Sequence, residues 1–385
     1  MIHAPPAECG LLAYAGNAPV MPPLKKLALA GYKSIQSTEN LELRALNVLI
    51  GANGVGKSNF ISFFKLLRDL IEGRLQLHVA QQGGADALLF HGRRTTPQLE
   101  AKLFFARNGY QFRLVPTADN RLIFSWESFW FDGDHATVTR ILGSGHPESL
   151  APGHLKPGST YQQLASYIVP AMQGWRVYHF HDTSDVANVK RIGALNDNLF
   201  LRSDAGNLAA FLYRLKTESP AEYERIRDCV RLVMPSFDDF LLRPSPLEPN
   251  SIALEWREQG SDYPFMAHHL SDGTLRFICL ATLLLQPNLP STVLIDEPEL
   301  GLHPYAIQML ASLVRSASTR TQLIIATQSV LFIDQLDLED LIVVERSGGA
   351  STFKRLQRAE FEHWLEDYSL GEMWTKNIFG GRPTR

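Results

Sequence analysis

The segment of residues 51–58, Gly-Ala-Asn-Gly-Val-Gly-Lys-Ser, constrains the fold more than any other because of what flanks it. Residues 41–51 end in a continuous apolar run, which is typical of a strand buried in the middle of a sheet. After the segment, apolar residues recur at helical spacing as far as Ile71, and Gly73 supplies a stop for the helix. A glycine-rich turn between a buried strand and an amphipathic helix predicts a phosphate-binding loop in an α/β fold.

We call residues 51–58 the P-loop. Its glycines allow consecutive backbone N–H groups to curl around a polyphosphate. Lys57 is expected to reach the outer phosphates, and the Ser58 hydroxyl is expected to bind Mg²⁺. The predicted nucleotide-binding residues of this region are Gly51, Ala52, Asn53, Gly54, Val55, Gly56, Lys57, Ser58 and Asn59.

A second apolar strand, residues 292–296, is followed by a carboxylate pair formed by its last residue, Asp296, and by Glu297. Carboxylates at the end of a buried strand are costly unless a cation or a reacting water meets them. We therefore predict that Asp296 holds Mg²⁺, usually through water, and that Glu297 orients or deprotonates an attacking water. The alternative is an acidic turn in which Pro298 begins a loop. The P-loop in the same chain favours the first interpretation.

The third piece is the segment of residues 323–330, in which a buried apolar strand ends in the polar residues Thr327, Gln328 and Ser329. Ligands of open α/β sheets lie at the carboxyl edge of the sheet, where these side chains would project. We therefore predict that Gln328 senses the γ-phosphate. The alternative is a polar turn between a strand and a helix.

The segment of residues 270–274, Leu-Ser-Asp-Gly-Thr, opens a helix that is apolar on all sides apart from Arg276. We call it the signature segment. Free N–H groups at a helix entrance favour an anion, so Ser271, Asp272 and Gly273 are predicted to contact phosphate. The alternative is that Ser271 only caps its helix, as serine commonly does.

The order of the P-loop, the signature segment, Leu-Ile-Asp-Glu-Pro-Glu and Ala-Thr-Gln-Ser resembles the ABC-type ATPases of the RecF, SMC and OLD kind. Within them the chain is similar to prokaryotic predicted AAA ATPases of RecF type. The resemblance extends from about residue 24 to residue 383, and it includes Leu-Phe-His-Gly-Arg at residues 89–93 and the segment of residues 175–185.

This resemblance implies a P-loop NTPase of α/β class, an ABC-type ATPase head with a mixed β-sheet core, an antiparallel β subdomain and a helical lobe. It also implies that ATP and Mg²⁺ are held between two subunits, with the signature segment of one facing the P-loop of the other. Ser271 and Gly273 would then contact a γ-phosphate held by the partner chain. A homodimer or a higher homo-oligomer is the assembly that this implies.

Three departures from the family pattern bear on these expectations. Gln328 stands where transporters of the superfamily usually have histidine. No single glutamine is identified as the mobile one between the two lobes, and Gln81 and Gln82 are the candidates. The signature segment has Ser-Asp-Gly-Thr where transporters have Ser-Gly-Gly-Gln, which argues against a transporter subunit.

Composition shifts predict four parts of the chain. Residues 1–20, rich in proline and glycine, form a flexible extension, and residues 21–143 form the first half of the ATPase domain with a β meander. Residues 144–245 form a mostly helical insert. Residues 246–385 form the second half, which ends in a helix with Trp364, Trp374 and Phe379 that docks on the core or on a partner.

The bulk composition narrows the class of protein. With 385 residues, 45% of them hydrophobic, and a net charge of −3, the chain is neither disordered nor a globally basic nucleic-acid binder, so any contact with DNA must be local. The cysteines Cys9, Cys229 and Cys279 are widely spaced, which argues against disulfides and zinc. This use of cysteine predicts the reducing cytoplasm as the compartment. The sequence has no run of 18 apolar residues, so we expect no membrane partner.

Two further features have ordinary interpretations. His179 and His181 would share one face of a strand, a spacing that can chelate a metal, but no third and fourth ligands are evident and packing is favoured. The helical stretch over residues 186–231 is mildly basic, which is more typical of a solvated surface than of a DNA groove.

The sequence therefore predicts an ATPase in which ATP and Mg²⁺ close two subunits and hydrolysis guided by Glu297 releases them. We expect the work to be linked to DNA, in repair and genome maintenance or in antiviral defence, with a separately encoded nuclease or toxin as effector. The alternatives are an ATP-dependent scaffold with negligible turnover and, less favoured, a transporter ATPase.

Overall fold

The structure is a computed structural model, and it describes residues 21–133 and 136–381. The predicted extension over residues 1–20, with Cys9, lies outside the described residues. The strands, in chain order, are β1 (Lys26–Tyr32), β2 (Ile35–Glu42), β3 (Leu46–Ile50), β4 (Leu99–Phe105), β5 (Asn108–Pro116), β6 (Leu122–Asp132), β7 (Thr137–Gly143), β8 (Trp175–Tyr178), β9 (Gly193–Ala194), β10 (Phe237–Phe240), β11 (Ser251–Ile252), β12 (Glu255–Glu258), β13 (Phe265–Met266), β14 (Thr292–Asp296), β15 (Gln322–Thr327), β16 (Leu341–Ser347) and β17 (Ala350–Arg355).

The α-helices, in chain order, are α1 (Lys57–Ile71), α2 (Leu75–Gln81), α3 (Ala85–Leu88), α4 (Gln162–Gln173), α5 (Leu208–Glu218), α6 (Pro220–Val233), α7 (Asp272–Leu285), α8 (Pro304–Ser318), α9 (Val330–Ile333), α10 (Arg358–Asp367) and α11 (Leu370–Thr375). Among the described residues, no helix combines the length and the apolar character that crossing a membrane requires.

The central sheet has the strand order β17-β16-β3-β15-β14-β8. Every neighbouring pair is parallel except β16 and β17, so the sheet is mixed. In this sheet Ile50 lies beside Thr327, and Asp296 lies beside Ala326. The segments that follow β3, β14 and β15 therefore emerge next to each other at one edge, which we call the carboxyl edge.

The strands in the middle of this sheet are covered on both faces, which explains their continuous apolar runs. Every residue of β3 and β15 is buried. Along β3, Leu49 joins the core cluster on one side of the sheet, while Val48 and Ile50 join the cluster on the other side. This alternation follows from the two-residue period of a strand.

The second large sheet is antiparallel, with the strand order β2-β1-β4-β5-β6-β7. Helix α1 lies in the core between this sheet and the central sheet, where Phe60, Phe63 and Phe64 are fully buried. Its buried side chains recur at the helical spacing seen in the sequence, and the P-loop at its start is consequently held by a helix packed on two sides.

The opposite face of the central sheet is covered by helices α5 to α8, which share one core cluster. Ten of the fourteen residues of α7, the helix opened by the signature segment, are buried. This confirms the prediction of a helix that is apolar on all sides. Cys229 and Cys279 are both free and buried in this part of the molecule.

Several element boundaries differ from the sequence-based expectations. The predicted strand over residues 27–35 is divided between β1 and the first residue of β2, because Lys33 adopts a left-handed turn conformation with φ +47°. The predicted C-terminal helix is two helices, α10 and α11, in which Trp374 is buried and Trp364 is exposed. Strand β8 lies within residues 144–245 and forms an edge of the central sheet.

Candidate functional site

The P-loop connects β3 to α1, and the side chain of its Lys57 bonds back to the first two residues of the loop. The Lys57 side chain is only 5% exposed, and its Nζ donates hydrogen bonds to Gly51 O at 2.6 Å and to Ala52 O at 3.0 Å. Partial burial lowers the pKa of Lys57, and the carboxylates of Glu297, Asp296 and Glu299 act in the opposite direction. The lysine therefore lies within electrostatic reach of the acidic residues at the carboxyl edge.

Gly56, at the start of α1, is a position where the backbone requires glycine. Its φ is +113°, which L side chains rarely adopt, and an added Cβ would lie 2.1 Å from Ser351 Oγ. The loop can therefore turn into the helix only because this residue has no side chain.

The hairpin of β16 and β17 supports the P-loop from outside. Ser351 Oγ lies 2.5 Å from Val55 O, and Arg346 Nη1 donates to Gly54 O at 3.3 Å. These two residues were missed by the sequence-based prediction. They lie nearly 300 residues from the P-loop in the chain, and no local pattern marks them.

The carboxylate pair predicted from the sequence lies where β14 ends. Glu297 adopts a left-handed backbone conformation with φ +43°, and its N–H donates to Ala326 O at 2.8 Å. Gln328 Nε2 donates to Glu297 Oε1 at 3.1 Å. The structure thus brings together two side chains that the sequence separates by 31 residues.

Mg²⁺ prefers oxygen ligands, and the residues predicted to hold it fit that preference. Ser58 directly follows Lys57, whose ammonium is influenced by the charge of Asp296. The set consists of one hydroxyl and one carboxylate, which leaves room for phosphate oxygens and water in an octahedral shell. Ser58 and Asp296 are therefore residues that could hold Mg²⁺ together with a nucleotide.

A third carboxylate, Glu299, also lies at the carboxyl edge and was missed as a site residue. It is 7% exposed, and its Oε1 accepts a hydrogen bond of 2.5 Å from the Thr327 hydroxyl. Burial raises the pKa of Glu299, although the bond from Thr327 acts to lower it. Its chain position, two residues after the predicted pair, was the available signal.

The two histidines of the segment after β8 lie near Asp296 at the carboxyl edge. His181 Nε2 donates to Asp296 O at 2.7 Å. Partial desolvation lowers the pKa of His179, and the charge of Asp296 opposes that shift. The candidate glutamines lie elsewhere, at the end of α2, where Gln82 Oε1 accepts a hydrogen bond of 3.3 Å from Lys33 Nζ.

An open cavity of about 680 Å³ adjoins the outer side of the P-loop helix. Asn59, from the first turn of α1, lines it together with Arg346, which contacts the P-loop. Phe90 and His91, from the Leu-Phe-His-Gly-Arg segment, form another wall. None of residues 51–58 lines this cavity, which lies beside the P-loop rather than in it.

The signature segment lies at the surface, at the entrance of α7. Ser271 Oγ accepts a hydrogen bond of 3.1 Å from the Thr274 N–H, so Ser271 caps α7; its contact with phosphate stays a prediction. Asp272 is exposed and lies 3.9 Å from Lys190 Nζ. An added Cβ at Gly273 would lie 2.4 Å from Gly301 O, so the segment is pressed against the loop that follows Glu299.

Arg276 joins α7 to two loops of the candidate site. Its guanidinium is buried and donates to Phe180 O at 2.9 Å, to His181 O at 3.2 Å and to Leu300 O. Burial lowers the pKa of Arg276. The helix of the signature segment is thereby connected to the segment that contacts Asp296.

We expect Arg276→Met to lower the free energy of unfolding by about 2–4 kcal/mol, because a buried cation with three carbonyl acceptors is replaced by a side chain that leaves them without donors. Urea unfolding followed by circular dichroism measures this. Arg320→Met is the matched control: Arg320 also donates to two carbonyls, Leu284 O and Gln286 O, but it lies at the surface. Its loss should cost less than about 1 kcal/mol. Equal decreases in the free energy of unfolding in the two variants would contradict the prediction that buried Arg276 stabilises the fold more than exposed Arg320.

The comparisons with known proteins agree with this architecture. Residues 46–334 match a protein family described as "AAA domain, putative AbiEii toxin, Type IV TA system". That range contains the P-loop, the signature segment, the carboxylate pair and Gln328. Among curated proteins, none matches the sequence significantly.

Two solved structures of SMC heads share the fold. One, described as an SMC head bound to the C-terminal winged-helix domain of ScpA, has 17% sequence identity and a TM-score of 0.59, covering 88% of this chain and 99% of that chain. The other is an SMC head with an extended coiled coil, bound to the C-terminal domain of ScpA derived from Pyrococcus furiosus. It has 14% identity and a TM-score of 0.54, covering 90% of this chain and 99% of that chain. At this identity the likeness concerns the fold, a P-loop NTPase head of SMC type.

Proposed function

Because the chain belongs to this AAA-domain family, whose model covers most of its length, we propose that it is an ATPase whose hydrolysis takes place between two copies of the chain. The observation that carries the proposal is the convergence at the carboxyl edge. Lys57 lies within electrostatic reach of Asp296 and Glu297, and Gln328 is hydrogen-bonded to Glu297.

The chemistry assigned to each side chain follows from its position. The P-loop N–H groups and Lys57 hold the phosphates, and the lysine exchanges its bonds to Gly51 O and Ala52 O for bonds to phosphate oxygens. Ser58 and Asp296 hold Mg²⁺, which neutralises charge on the phosphates. Glu297 accepts the proton of the attacking water, and Gln328 orients that water.

The proposal of a shared site rests on the position of the signature segment. Ser271 and Asp272 are exposed on the helical lobe. Their hydrogen bond and ion pair run to Thr274 and Lys190 of that same lobe. The N–H groups at the start of α7 are thus presented to the outside of the chain, where a nucleotide on a second copy can meet them.

A set of exposed apolar side chains around the carboxyl edge supports a surface that a second copy covers. They lie on the loop after Glu299 and at the starts of α8 and α9, next to Gln328. Exposed apolar groups that cluster beside polar functional residues are typical of protein interfaces. The set consists of Leu300, Tyr305, Val330 and Leu331.

We further propose that the ATPase cycle is coupled to DNA-related work, in genome maintenance or antiviral defence, through a separately encoded effector. Two findings about relatives support an effector. The description of the family refers to a toxin–antitoxin system, and the two SMC heads were solved bound to domains of another protein, ScpA. With a net charge of −3, a DNA contact would have to use a local basic surface.

One contact favours a second candidate, an ATP-dependent scaffold with negligible turnover. The bond from Gln328 Nε2 occupies Glu297 Oε1, one of the two oxygens that could accept a proton from water. If Glu297 Oε2 is also engaged when ATP is bound, no oxygen of the base is left for water and the assembly would be held for long periods, whereas an oriented Oε1 beside a free Oε2 is compatible with hydrolysis.

Phosphate release by the full chain separates these candidates. We expect hydrolysis that requires Mg²⁺ and disappears when the metal is chelated, since both Ser58 and Asp296 act through it. Measurements with and without duplex DNA test the proposed coupling to DNA. If the coupling exists, DNA should change the rate of ATP hydrolysis. ATP-dependent dimerisation in size-exclusion chromatography without Mg²⁺-dependent phosphate release would support the scaffold instead.

A further inference from the structure

Glu299 and Thr327 form a buried link between the ends of β14 and β15. The Thr327 hydroxyl donates to Glu299 Oε1 at 2.5 Å, and Thr327 Oγ1 itself accepts a hydrogen bond of 3.0 Å from the Ser329 N–H. Thr327 is fully buried. The Thr327 hydroxyl therefore links Glu299, in the loop after β14, to the backbone N–H of Ser329, the residue after Gln328.

The link fixes the residue that contacts the predicted base. Gln328 lies between Thr327 and Ser329, and its own side chain donates to Glu297 Oε1. Thr327 also pairs with Ile50, the residue before the P-loop. A turn held by the Thr327 hydroxyl at one end and by the sheet at the other fixes the backbone from which the exposed Gln328 side chain projects toward Glu297.

The surroundings of Glu299 distinguish it from an ordinary structural carboxylate. Its Oε2 is buried and accepts no hydrogen bond of ordinary geometry within the described part of the chain, although the backbone N–H groups of Glu299 and Gln328 lie close enough to the carboxyl to act toward a lower pKa. Buried polar atoms seldom lack a partner, and where the protein supplies none, the explanation is an ordered water, an ion, strain or a functional role. Burial also raises the pKa of Glu299, which favours its uncharged form beside Glu297.

We propose that Glu299 is a positioning residue for hydrolysis: through the Thr327 hydroxyl it sets the turn that holds the Gln328 amide against Glu297. This inference rests on the proposed ATPase function. It assigns to Glu299 no contact with nucleotide and no proton transfer. Its prediction is a loss of turnover without a loss of ATP binding when the link is cut.

The test compares two buried threonines on the same pair of strands. Thr327→Val removes the hydroxyl at the carboxyl edge. Thr292→Val is the matched control at the opposite end, where Thr292 Oγ1 lies 3.4 Å from Gln322 Oε1 and both residues are buried. Thr327→Ser keeps the hydroxyl and serves as the rescue variant, and Glu299→Ala cuts the link from the other side.

We expect Thr327→Val and Glu299→Ala each to lower kcat about 10- to 100-fold. This is the range typical of losing a residue that orients another functional residue by a hydrogen bond, as around metal ligands. The KM for ATP and the affinity for a non-hydrolysable ATP analogue should stay near native values. Thr327→Ser should restore kcat, and Thr292→Val should leave it unchanged. The Glu299→Ala, Thr327→Val double variant should be no slower than either single variant, because both remove one link.

Crystal structures of the Thr327→Val and Thr292→Val chains give a readout that does not depend on turnover. The contact of 3.1 Å between Gln328 Nε2 and Glu297 Oε1 should be lost in Thr327→Val and kept in Thr292→Val. If the contact survives in Thr327→Val, or if kcat falls equally in both threonine variants, the positioning role is overturned. An inactive native chain in which the contact still depends on Thr327 would overturn the ATPase function alone.

Discussion

Replacing Glu297 with glutamine should lower kcat for ATP hydrolysis about 100-fold or more, because an amide cannot accept the proton that a carboxylate takes from water. ATP binding should be retained, since Glu297 makes no contact with the P-loop lysine beyond its electrostatic influence. The amide oxygen can still accept the hydrogen bond from Gln328 Nε2, and the backbone bond to Ala326 O is unchanged. The variant therefore tests proton acceptance with the local geometry preserved.

The measurement is steady-state phosphate release, together with binding of a fluorescent ATP analogue. Glu339→Gln is a suitable control because Glu339 is a surface carboxylate paired with Arg44 and its loss should not affect turnover. We also expect Glu297→Gln to accumulate as an ATP-bound dimer in size-exclusion chromatography. A kcat of Glu297→Gln equal to that of the native chain would show that Glu297 is not the base.

Mixing two inactive variants should restore ATP hydrolysis if each site is built from two chains. Lys57→Ala removes the phosphate ligand of the P-loop, and Ser271→Glu places a carboxylate where the γ-phosphate of the partner's nucleotide would lie. Ser271→Glu removes the cap on the Thr274 N–H, at a cost of about 1 kcal/mol, but Ser271 is exposed and an acidic residue at a helix N-terminus is electrostatically favourable, so the fold should tolerate the change. Each variant alone should have less than about 1% of native activity.

In an equal mixture of these variants, half of the dimers contain one chain of each kind, and each of those has one intact site. We therefore expect recovery of about a quarter of the native activity if subunits exchange freely. Lys57→Ala mixed with Glu297→Gln is the matched control: both residues belong to the same half of a site, so no mixed dimer has an intact site. No recovery with Ser271→Glu, or equal recovery in the control, would contradict a shared site.

The central sheet could be predicted from the sequence because its signals are local. The buried runs around Val48, Leu294 and Ile325 predicted strands that the structure confirms as β3, β14 and β15. Parallel strands share a carboxyl edge, so the proximity of the P-loop to Asp296 followed from the fold class. The roles of Lys57, Ser58, Asp296, Glu297 and Gln328 in hydrolysis remain predictions.

The contacts that could not be predicted join distant parts of the chain. Ser351 touches the P-loop only because β17 pairs with β16 beside β3, and no residue pattern in the hairpin encodes that contact. The three carbonyl acceptors of Arg276 come from two loops. Every residue has a backbone carbonyl, so the sequence does not indicate which carbonyls accept these bonds. Glu299 was overlooked for another reason: its partner, Thr327, was predicted only as one of three polar residues at the carboxyl edge, and no local pattern connects it to residue 299.

The tight fit of Gly273 against Gly301 has a consequence for genetics. Any side chain at position 273 would collide with a carbonyl oxygen of the neighbouring loop, whatever that side chain is. A null phenotype from a change at Gly273 would therefore report damaged packing as readily as a lost ligand contact. Alleles at exposed Ser271 that keep a helix-capping side chain, such as aspartate, leave both this packing and the cap on Thr274 intact, so their phenotypes would report on the proposed contact with nucleotide.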